Sequence, residues 1–204
     1  MTNKLIAFEG IDGSGKSTQI KKLAEKIKGN GEDVYTTFEP TDNYIGKLIR
    51  DVFSYRYEAS QETIAGLFVA DRLDHLLHPE HGMLKMLETK HVLTDRYYFS
   101  SYAYHGVHVD MTWVMEANRM AVSKGKADLH IFIDVNPEIC LKRIHNNRTH
   151  IEMYETLDNL IRVRNQYLLA FDQMKDRENI MMVDGNRSED EIAEEIWSLF
   201  KNME

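Results

Sequence analysis

The chain has 204 residues, 43% hydrophobic and 28% charged, a balance typical of a folded chain of one domain or two small ones. A formal net charge of −8 argues against non-specific binding to nucleic acid or to an anionic membrane, although a local arginine cluster can still hold a small anion. There is no long apolar run, the start MTNKLIAFEG does not resemble a signal peptide, and the single cysteine, Cys140, leaves no internal disulfide, so we expect a cytoplasmic protein with no membrane partner.

Short apolar runs alternate with helical patterns along the chain. The strand candidates are Leu5–Phe8, Val34–Phe38, Val92–Thr94, Leu129–Ile133 and Ile180–Val183. Because their apolar residues do not alternate with polar ones, they predict strands buried on both faces of a parallel sheet.

Helical signals lie between these runs. Apolar residues recur at helical spacing from Ile20 to Ile27, Asn136-Pro137 is typical of a helix start, and Ser188 with Glu191 has the spacing of a capping box. The middle of the chain, from about Tyr44 to Leu87, is rich in helical patterns. Strand–helix alternation predicts an α/β fold in which helices cover both faces of the sheet.

The segment after the first predicted strand has a phosphate-binding pattern. Gly10-Ile11-Asp12-Gly13-Ser14-Gly15-Lys16-Ser17 matches GxxxxGK[ST] in full and opens a predicted helix, as that motif requires. Backbone N–H groups and the helix N-terminus attract phosphate, Lys16 should reach the β- and γ-phosphates, and the Ser17 hydroxyl should bind Mg²⁺. We include the following residue, Thr18, in the predicted nucleotide site.

A phosphate loop does not separate kinases from GTP switches or mechanical ATPases. A GTP switch needs a guanine-reading NKxD segment, and the only partial match, Asn3-Lys4-Leu5-Ile6, lacks the aspartate and precedes the loop. A kinase that phosphorylates a second nucleotide would instead carry arginines on several elements.

Such arginines occur in a characteristic order after the phosphate loop. The segments are Glu39-Pro40, Gly46–Arg50, Phe68–Arg72, Asp95-Arg96-Tyr97, Ser100–Tyr104 and Ala127–Glu138. Together they resemble the thymidylate kinases, the nucleoside-monophosphate kinases that phosphorylate dTMP. The resemblance runs from Lys4 to about Leu168.

This resemblance implies a P-loop fold with a five-stranded parallel sheet flanked by helices, a homodimer, ATP and Mg²⁺ on the loop, and dTMP in a neighbouring pocket. Within that pocket, Phe68 matches the ring that stacks on thymine and Arg72 the arginine that contacts the base. Arg50 and Arg96 match the arginines around the phosphate groups, and Asp12 matches the acidic residue near the sugar. Ser101 and Tyr104 match residues that line the pocket, and we include Glu39 and His105 in the predicted substrate site.

The residue types support these roles independently. Guanidinium groups bind phosphate oxygens bidentately and stay protonated, as phosphoryl transfer requires. Asp95 follows a buried strand, the position of an acid that orients Mg²⁺. Each residue also has a structural interpretation, since Phe68 alone is more often a core residue and Asp95 with Arg96 can close a strand end as an ion pair.

The sequence departs from the family in three places. Phe38 replaces an arginine that many bacterial members carry before Glu-Pro, so one phosphate-side contact is expected to be missing or supplied elsewhere. His105 replaces a glutamine that hydrogen-bonds the base edge in many members, so base recognition is expected to weaken or to depend on pH. The third is a mobile lid expected around residues 143–152, where the common Asp-Arg-x-Glu pattern is not intact. We predict that Arg148 supplies the catalytic cation, with Arg143 as the alternative.

The sequence therefore predicts a single kinase domain over residues 1–204 that converts dTMP to dTDP, with Lys16, Arg96, Arg148 and Asp12 in the catalytic roles. Two alternatives stay open at this point. One is a kinase for another nucleoside monophosphate or for a deoxynucleoside, and the other is a non-catalytic nucleotide-binding switch.

Overall fold

The computed structural model describes residues 2–147, 154 and 156–203. Its strands are β1 (Leu5–Glu9), β2 (Val34–Phe38), β3 (His91–Asp95), β4 (Leu129–Asp134) and β5 (Ile180–Asp184). Its helices are α1 (Lys16–Gly29), α2 (Tyr44–Phe53), α3 (Gln61–Leu77), α4 (Met83–Leu87), α5 (Tyr98–Gly106), α6 (Met111–Lys124), α7 (Pro137–Asn147), α8 (Leu157–Met174) and α9 (Glu189–Lys201). Each strand predicted from the sequence is present, and four of them extend one or two residues further.

Within the described residues, the five strands form one sheet in the order β2-β3-β1-β4-β5, and every pairing is parallel. The α/β fold with a parallel sheet is thereby confirmed. Because β1 lies at the centre, the order reverses on either side of it. Ligands in such sheets bind at the carboxyl ends of the strands beside this reversal.

The prediction that all strands are buried on both faces holds for the inner strands and is wrong for the outer two. All residues of β1 are buried, whereas β2 and β5 contain exposed residues, among them Phe38, Met181 and Met182. The reason is position, because an edge strand has a neighbour on one side only and its helices cover it incompletely. An apolar run does not reveal where its strand lies in the sheet.

Two predicted helix starts are confirmed. The side chain of Asn136 accepts a hydrogen bond from the backbone N–H of Glu138 (2.8 Å) at the start of α7. Ser188 and Glu191 form a complete capping box at the start of α9. Both caps satisfy N–H groups that have no partner within the helix.

In the described part of the chain, no helix combines the length and the apolar character that a transmembrane helix would need.

His130 on β4 makes the stability of the fold dependent on pH. Its ring is completely buried beside Tyr98 and Phe99, its Nε2 contacts the Tyr98 hydroxyl at 2.7 Å, and its Nδ1 has no hydrogen-bond partner among the described residues. Burial, reinforced by the positive charge of Lys126, lowers the pKa of His130 to about 3 from 6.5. Between these two pH values the unfolded chain binds a proton that the folded chain does not bind.

We therefore expect the free energy of unfolding to fall as the pH is lowered from 6.5, by up to about 1.4 kcal/mol per pH unit for this one group. Urea unfolding at a series of pH values measures the slope. His130→Gln removes the titrating group and should flatten the curve by that amount. Parallel curves for the two proteins would contradict the prediction.

Candidate active site

The loop from Gly10 to Ser17 connects the centre of the sheet to α1. Two of its glycines, Gly13 and Gly15, have φ values of 79° and 95°, a conformation that favours glycine. A Cβ atom on Gly13 would also lie 2.6 Å from the carbonyl oxygen of Cys140 on α7. The loop thus packs directly against α7, and α1 begins at Lys16 with its free N–H groups at the loop.

Lys16 lies across the loop from which it arises. Its Nζ donates to the carbonyl oxygens of Gly10 (3.0 Å) and Ile11 (3.2 Å), and its side chain is largely buried. Burial, followed by repulsion from Arg96, lowers the pKa of Lys16. A phosphate group at the loop would add a closer anionic partner for this buried ammonium, whose nearest carboxylate oxygen is that of Asp95 at 4.0 Å.

Ser17, in the first turn of α1, lies close to Asp95 at the end of β3. The Ser17 hydroxyl donates to Asp95 Oδ2 at 2.7 Å, and Lys16 Nζ lies 4.0 Å from Asp95 Oδ1. The described residues include no group of three or more His, Cys, Asp and Glu side chains suited to hold a metal. One hydroxyl and one carboxylate nevertheless match Mg²⁺, which takes few protein oxygens and completes its shell with water and phosphate.

A cavity of about 880 Å³ opens over the loop. Of the predicted nucleotide site, it is lined by Asp12, Gly13, Ser14, Gly15, Lys16, Ser17 and Thr18. Gly10 and Ile11 do not line it and act through the carbonyl groups that Lys16 contacts. Residues that the sequence analysis missed also line it: Gln19, Gly185, Arg187, Glu189 and Ile192. Three of these, Gly185, Arg187 and Glu189, come from the turn after β5 and the start of α9, and the general preference of ligands for strand carboxyl ends was the available signal.

A second cavity, of about 240 Å³, lies between α2, α3 and α5. Its walls contain all eight residues predicted for substrate binding: Glu39, Arg50, Phe68, Arg72, Arg96, Ser101, Tyr104 and His105. The other residues that line it are Asp12, Phe38, Pro40, Phe53, Ser100 and Tyr154. We refer to this cavity as the acceptor cavity and to the one over the loop as the donor cavity.

Arg96 lies where the two cavities meet. Its guanidinium donates to Asp12 Oδ1 (2.6 Å), to the Tyr104 hydroxyl (3.1 Å) and to Ser100 Oγ (3.2 Å). Tyr104 in turn donates to Asp12 Oδ2 at 2.9 Å. Burial would raise the pKa of Asp12, but the charges of Arg96 and Lys16 outweigh it and the pKa is lowered, so the carboxylate stays ionised.

The backbone of Arg96 has a φ of 72°, which is rare for a residue with a side chain. Its N–H donates to the carbonyl oxygen of Phe8 (2.9 Å), and its carbonyl accepts from Thr94 Oγ1 (2.9 Å). These two bonds hold a conformation that costs about 1–3 kcal/mol and direct the side chain toward the junction of the cavities.

Phe68 and His105 form the apolar end of the acceptor cavity. Their ring centroids are 4.8 Å apart, and the ring of Phe53 also packs on Phe68, with 5.9 Å between the centroids. Burial, assisted by the charge of Arg72, lowers the pKa of His105 to about 3, so the imidazole is neutral at physiological pH. Its Nδ1 has no hydrogen-bond partner among the described residues.

Arg72 also lines the acceptor cavity, and its side chain is completely buried. It forms a buried ion pair with Glu39, whose other carboxylate oxygen accepts a hydrogen bond from Nδ1 of the His75 ring at 3.2 Å. Burial raises the pKa of Glu39, but the charge of Arg72 and the contact with His75 outweigh it, so that pKa is lowered. A direct bond from Arg72 to a bound base would require one of its existing contacts to be released.

Arg50 reaches the cavity from α2. Its guanidinium donates to the carbonyl oxygens of Pro40 (2.9 Å) and Thr41 (2.6 Å) and to Asp42 (2.9 Å). It is more exposed than Arg72 or Arg96 and is free to exchange these contacts for phosphate oxygens.

Of the two lid candidates, only Arg143 belongs to the described residues. It lines the donor cavity, and its Nη1 donates to the carbonyl oxygen of Gly13 at 3.3 Å. Arg148 and the segment 148–153 lie outside the described residues. The choice between Arg148 and Arg143 therefore stays a prediction.

The two cavities share one wall, formed by Asp12, Phe38, Glu39 and Arg96. A phosphorylated ligand on the loop and a second anionic ligand beside Arg50 would meet at that wall. The arrangement suits the transfer of a phosphoryl group between them, since such transfer depends on aligning two phosphates and neutralising their charge.

Comparison with known proteins agrees with this geometry. The family model "Thymidylate kinase" matches residues 8–196. A probable thymidylate kinase of Methanocaldococcus jannaschii is 36% identical over 98% of this chain and 97% of its own length. A thymidylate kinase of Ligilactobacillus salivarius is 36% identical over the full length of both chains, and a probable thymidylate kinase of Thermococcus onnurineus is 40% identical over 80% and 82%. The chain belongs to the thymidylate kinase family.

Proposed function

We propose that this protein transfers the γ-phosphoryl group of ATP to dTMP, giving ADP and dTDP, a step in the synthesis of dTTP. The observation that carries the proposal is the wall shared by the donor and acceptor cavities, where Asp12 and Arg96 face both. Membership of the thymidylate kinase family supports dTMP as the acceptor.

The donor side is built from the loop and its lysine. We propose that the residues from Gly13 to Thr18 hold the ATP phosphates through backbone N–H groups and that Lys16 neutralises the phosphates nearest the junction. Ser17 and Asp95 are the residues that would hold Mg²⁺, in keeping with their oxygen donors. When bound, Mg²⁺ would neutralise charge on the phosphate oxygens.

On the acceptor side, we propose that the dTMP phosphate binds near Arg50 and Arg96 and the base near Phe68, all of which line the acceptor cavity. No side chain is needed as a strong base, because the acceptor phosphate is already an oxyanion near neutral pH. In this scheme an acceptor oxygen attacks the γ-phosphorus, the bond to the ADP oxygen breaks, and Arg96 stabilises the charge that develops between them. The neutral His105 can offer one donor and one acceptor nitrogen to the base edge.

Several wider features are part of the same proposal. We propose one kinase domain over residues 1–204 with a lid around residues 143–152, supported by the single sheet of the described residues and by the contact of Arg143 with the loop. We also propose a homodimer, supported by exposed apolar side chains on the neighbouring helices α3 and α6, namely Leu77, Trp113 and Met120. A cytoplasmic location fits nucleotide substrates and the free thiol of Cys140.

The test is ADP release from ATP·Mg²⁺ with dTMP, dUMP, UMP, dCMP, dGMP and AMP as separate acceptors. We expect dTMP to give the highest kcat/KM, exceeding dUMP by about tenfold or more because one methyl group in an apolar pocket is worth about 1–3 kcal/mol.

The other outcomes separate the alternatives. Preference for another monophosphate, or turnover only with a deoxynucleoside, would keep phosphoryl transfer and overturn the assignment of the base pocket. Nucleotide binding without release of ADP for any acceptor would indicate a switch rather than an enzyme.

A further inference from the structure

The guanidinium of Arg72 has no N–H group left for a ligand in this structure. An arginine side chain carries five N–H donors. Its Nε and one Nη2 hydrogen are directed at Glu39 (2.9 and 2.5 Å), the other Nη2 hydrogen at the carbonyl oxygen of Tyr97 (3.0 Å), and the two Nη1 hydrogens at Ser101 (2.8 Å) and Asn118 (2.5 Å). The side chain of Arg72 on α3 is therefore hydrogen-bonded to Glu39 after β2, to Tyr97 and Ser101 at α5, and to Asn118 on α6.

The charge of Arg72 is also already compensated. Glu39 lies against it, and both side chains are at most 1% exposed. The other oxygen of Glu39 contacts the His75 ring, whose Nε2 lies 2.7 Å from the Thr37 hydroxyl. A buried cation with an anionic partner and a full set of acceptors does not require a ligand to satisfy it.

Among the four residues that accept hydrogen bonds from Arg72, Asn118 is the one that lies outside the sequence motifs. It lies on α6, and no described residue of α6 lines either cavity. Its side chain is completely buried and uses both ends: Oδ1 accepts from Arg72, and Nδ2 donates to the carbonyl oxygen of Val114 at 2.8 Å. The amide thus ties α6 to the guanidinium that supports the cavity.

We infer that Asn118 is a positioning residue for the acceptor, acting by holding the guanidinium of Arg72 in the plane that supports Ser101 and Glu39. Both of those residues line the acceptor cavity, and Phe68 lies one helical turn before Arg72 on α3. Loss of the Asn118 acceptor leaves one buried Nη1–H without a partner, and the guanidinium then rotates toward other acceptors. The inference rests on the proposed function for the identity of the acceptor only.

Two substitutions separate positioning from a general effect on the fold. Asn118→Asp and Asn118→Leu both lose the bond to Val114, but only the aspartate keeps an oxygen acceptor for Arg72. We expect Asn118→Leu to raise the KM for dTMP on the order of tenfold, with the KM for ATP and kcat within about twofold of wild type. Asn118→Asp should keep the KM for dTMP within about threefold of wild type.

Equal dTMP KM values for the two variants, or a parallel rise in the KM for ATP, would overturn the inference, since either result describes a structural role only. If the leucine variant does not fold, Asn118→Ala takes its place. If neither folds, the aspartate variant decides, because a tenfold rise in its KM for dTMP contradicts the role of the acceptor oxygen. Should the wild type prefer another monophosphate, the KM of that acceptor is measured instead, which keeps this test distinct from that of the proposed function.

Discussion

Replacing Arg96 with alanine is expected to lower kcat by on the order of 10³-fold, the largest effect of any substitution considered for the described residues. Arg96 is the one cationic residue among them that lines both the acceptor and the donor cavity. Its bonds to Asp12 and Tyr104 hold it in place before any ligand arrives. A guanidinium fixed at that junction stabilises the charge of the transferred group without having to reorganise during the reaction.

The measurement is steady-state ADP release with saturating ATP and dTMP. Arg96→Lys keeps the charge but loses the planar fork, so we expect an intermediate loss on the order of 10²-fold. Arg119→Ala, which removes an exposed arginine paired with Glu116 on α6, is the matched control and should behave like the wild type. A loss of less than about tenfold in a folded Arg96→Ala protein would assign the transition-state charge to another residue.

Replacing Lys16 with methionine, which has a similar length and no charge, should lower kcat/KM for ATP by on the order of 10²- to 10³-fold. Lys16 is buried in the donor cavity and is held by the carbonyl oxygens of Gly10 and Ile11, so its ammonium is already positioned at the loop. Without it, the negative charge of the phosphates and of Asp95 is left with less compensation. We expect the KM for dTMP to change far less, because Lys16 does not line the acceptor cavity.

The control for this experiment lies on the same helix. Lys21→Met makes the same chemical change at an exposed position of α1 and should leave both KM values and kcat unchanged. Calorimetric titration with ADP separates binding from turnover. If Lys16→Met bound ADP and turned over like the wild type, the loop would not be the donor site.

The order of the elements and the position of the loop could be read from local patterns. Local interactions between neighbouring residues determine these patterns. Examples are the apolar runs of β1 and β4, the helical periodicity of α1 and the capping box of α9. For the same reason, the motif from Gly10 to Ser17 could be recognised as a phosphate loop, whereas the positive φ angles of Gly13 and Gly15 were seen only in the structure.

Resemblance to a family extended this reading to residues far apart in the sequence. Phe68, Arg72, Arg96 and His105 could be selected because their order and spacing matched, and the structure brings them to one cavity. Local patterns alone would have left Phe68 as a core residue and Arg50 as a surface charge.

The chain by itself thus determined its strands, the starts of α1, α7 and α9, its phosphate loop and its membership of a kinase family. Only the tertiary structure showed that β2 and β5 are partly exposed edge strands and that Arg187 lines the donor cavity. It also showed that every N–H group of the Arg72 side chain is hydrogen-bonded to another residue of the protein. These outcomes depend on which distant segments of the chain pack together. For example, Arg72 and Asn118 are 46 positions apart in the sequence, and they form a hydrogen bond because α3 packs against α6. Hydrophobic periodicity places a residue on a face of its own helix or strand, but the partner across that face is determined by the path of the whole chain.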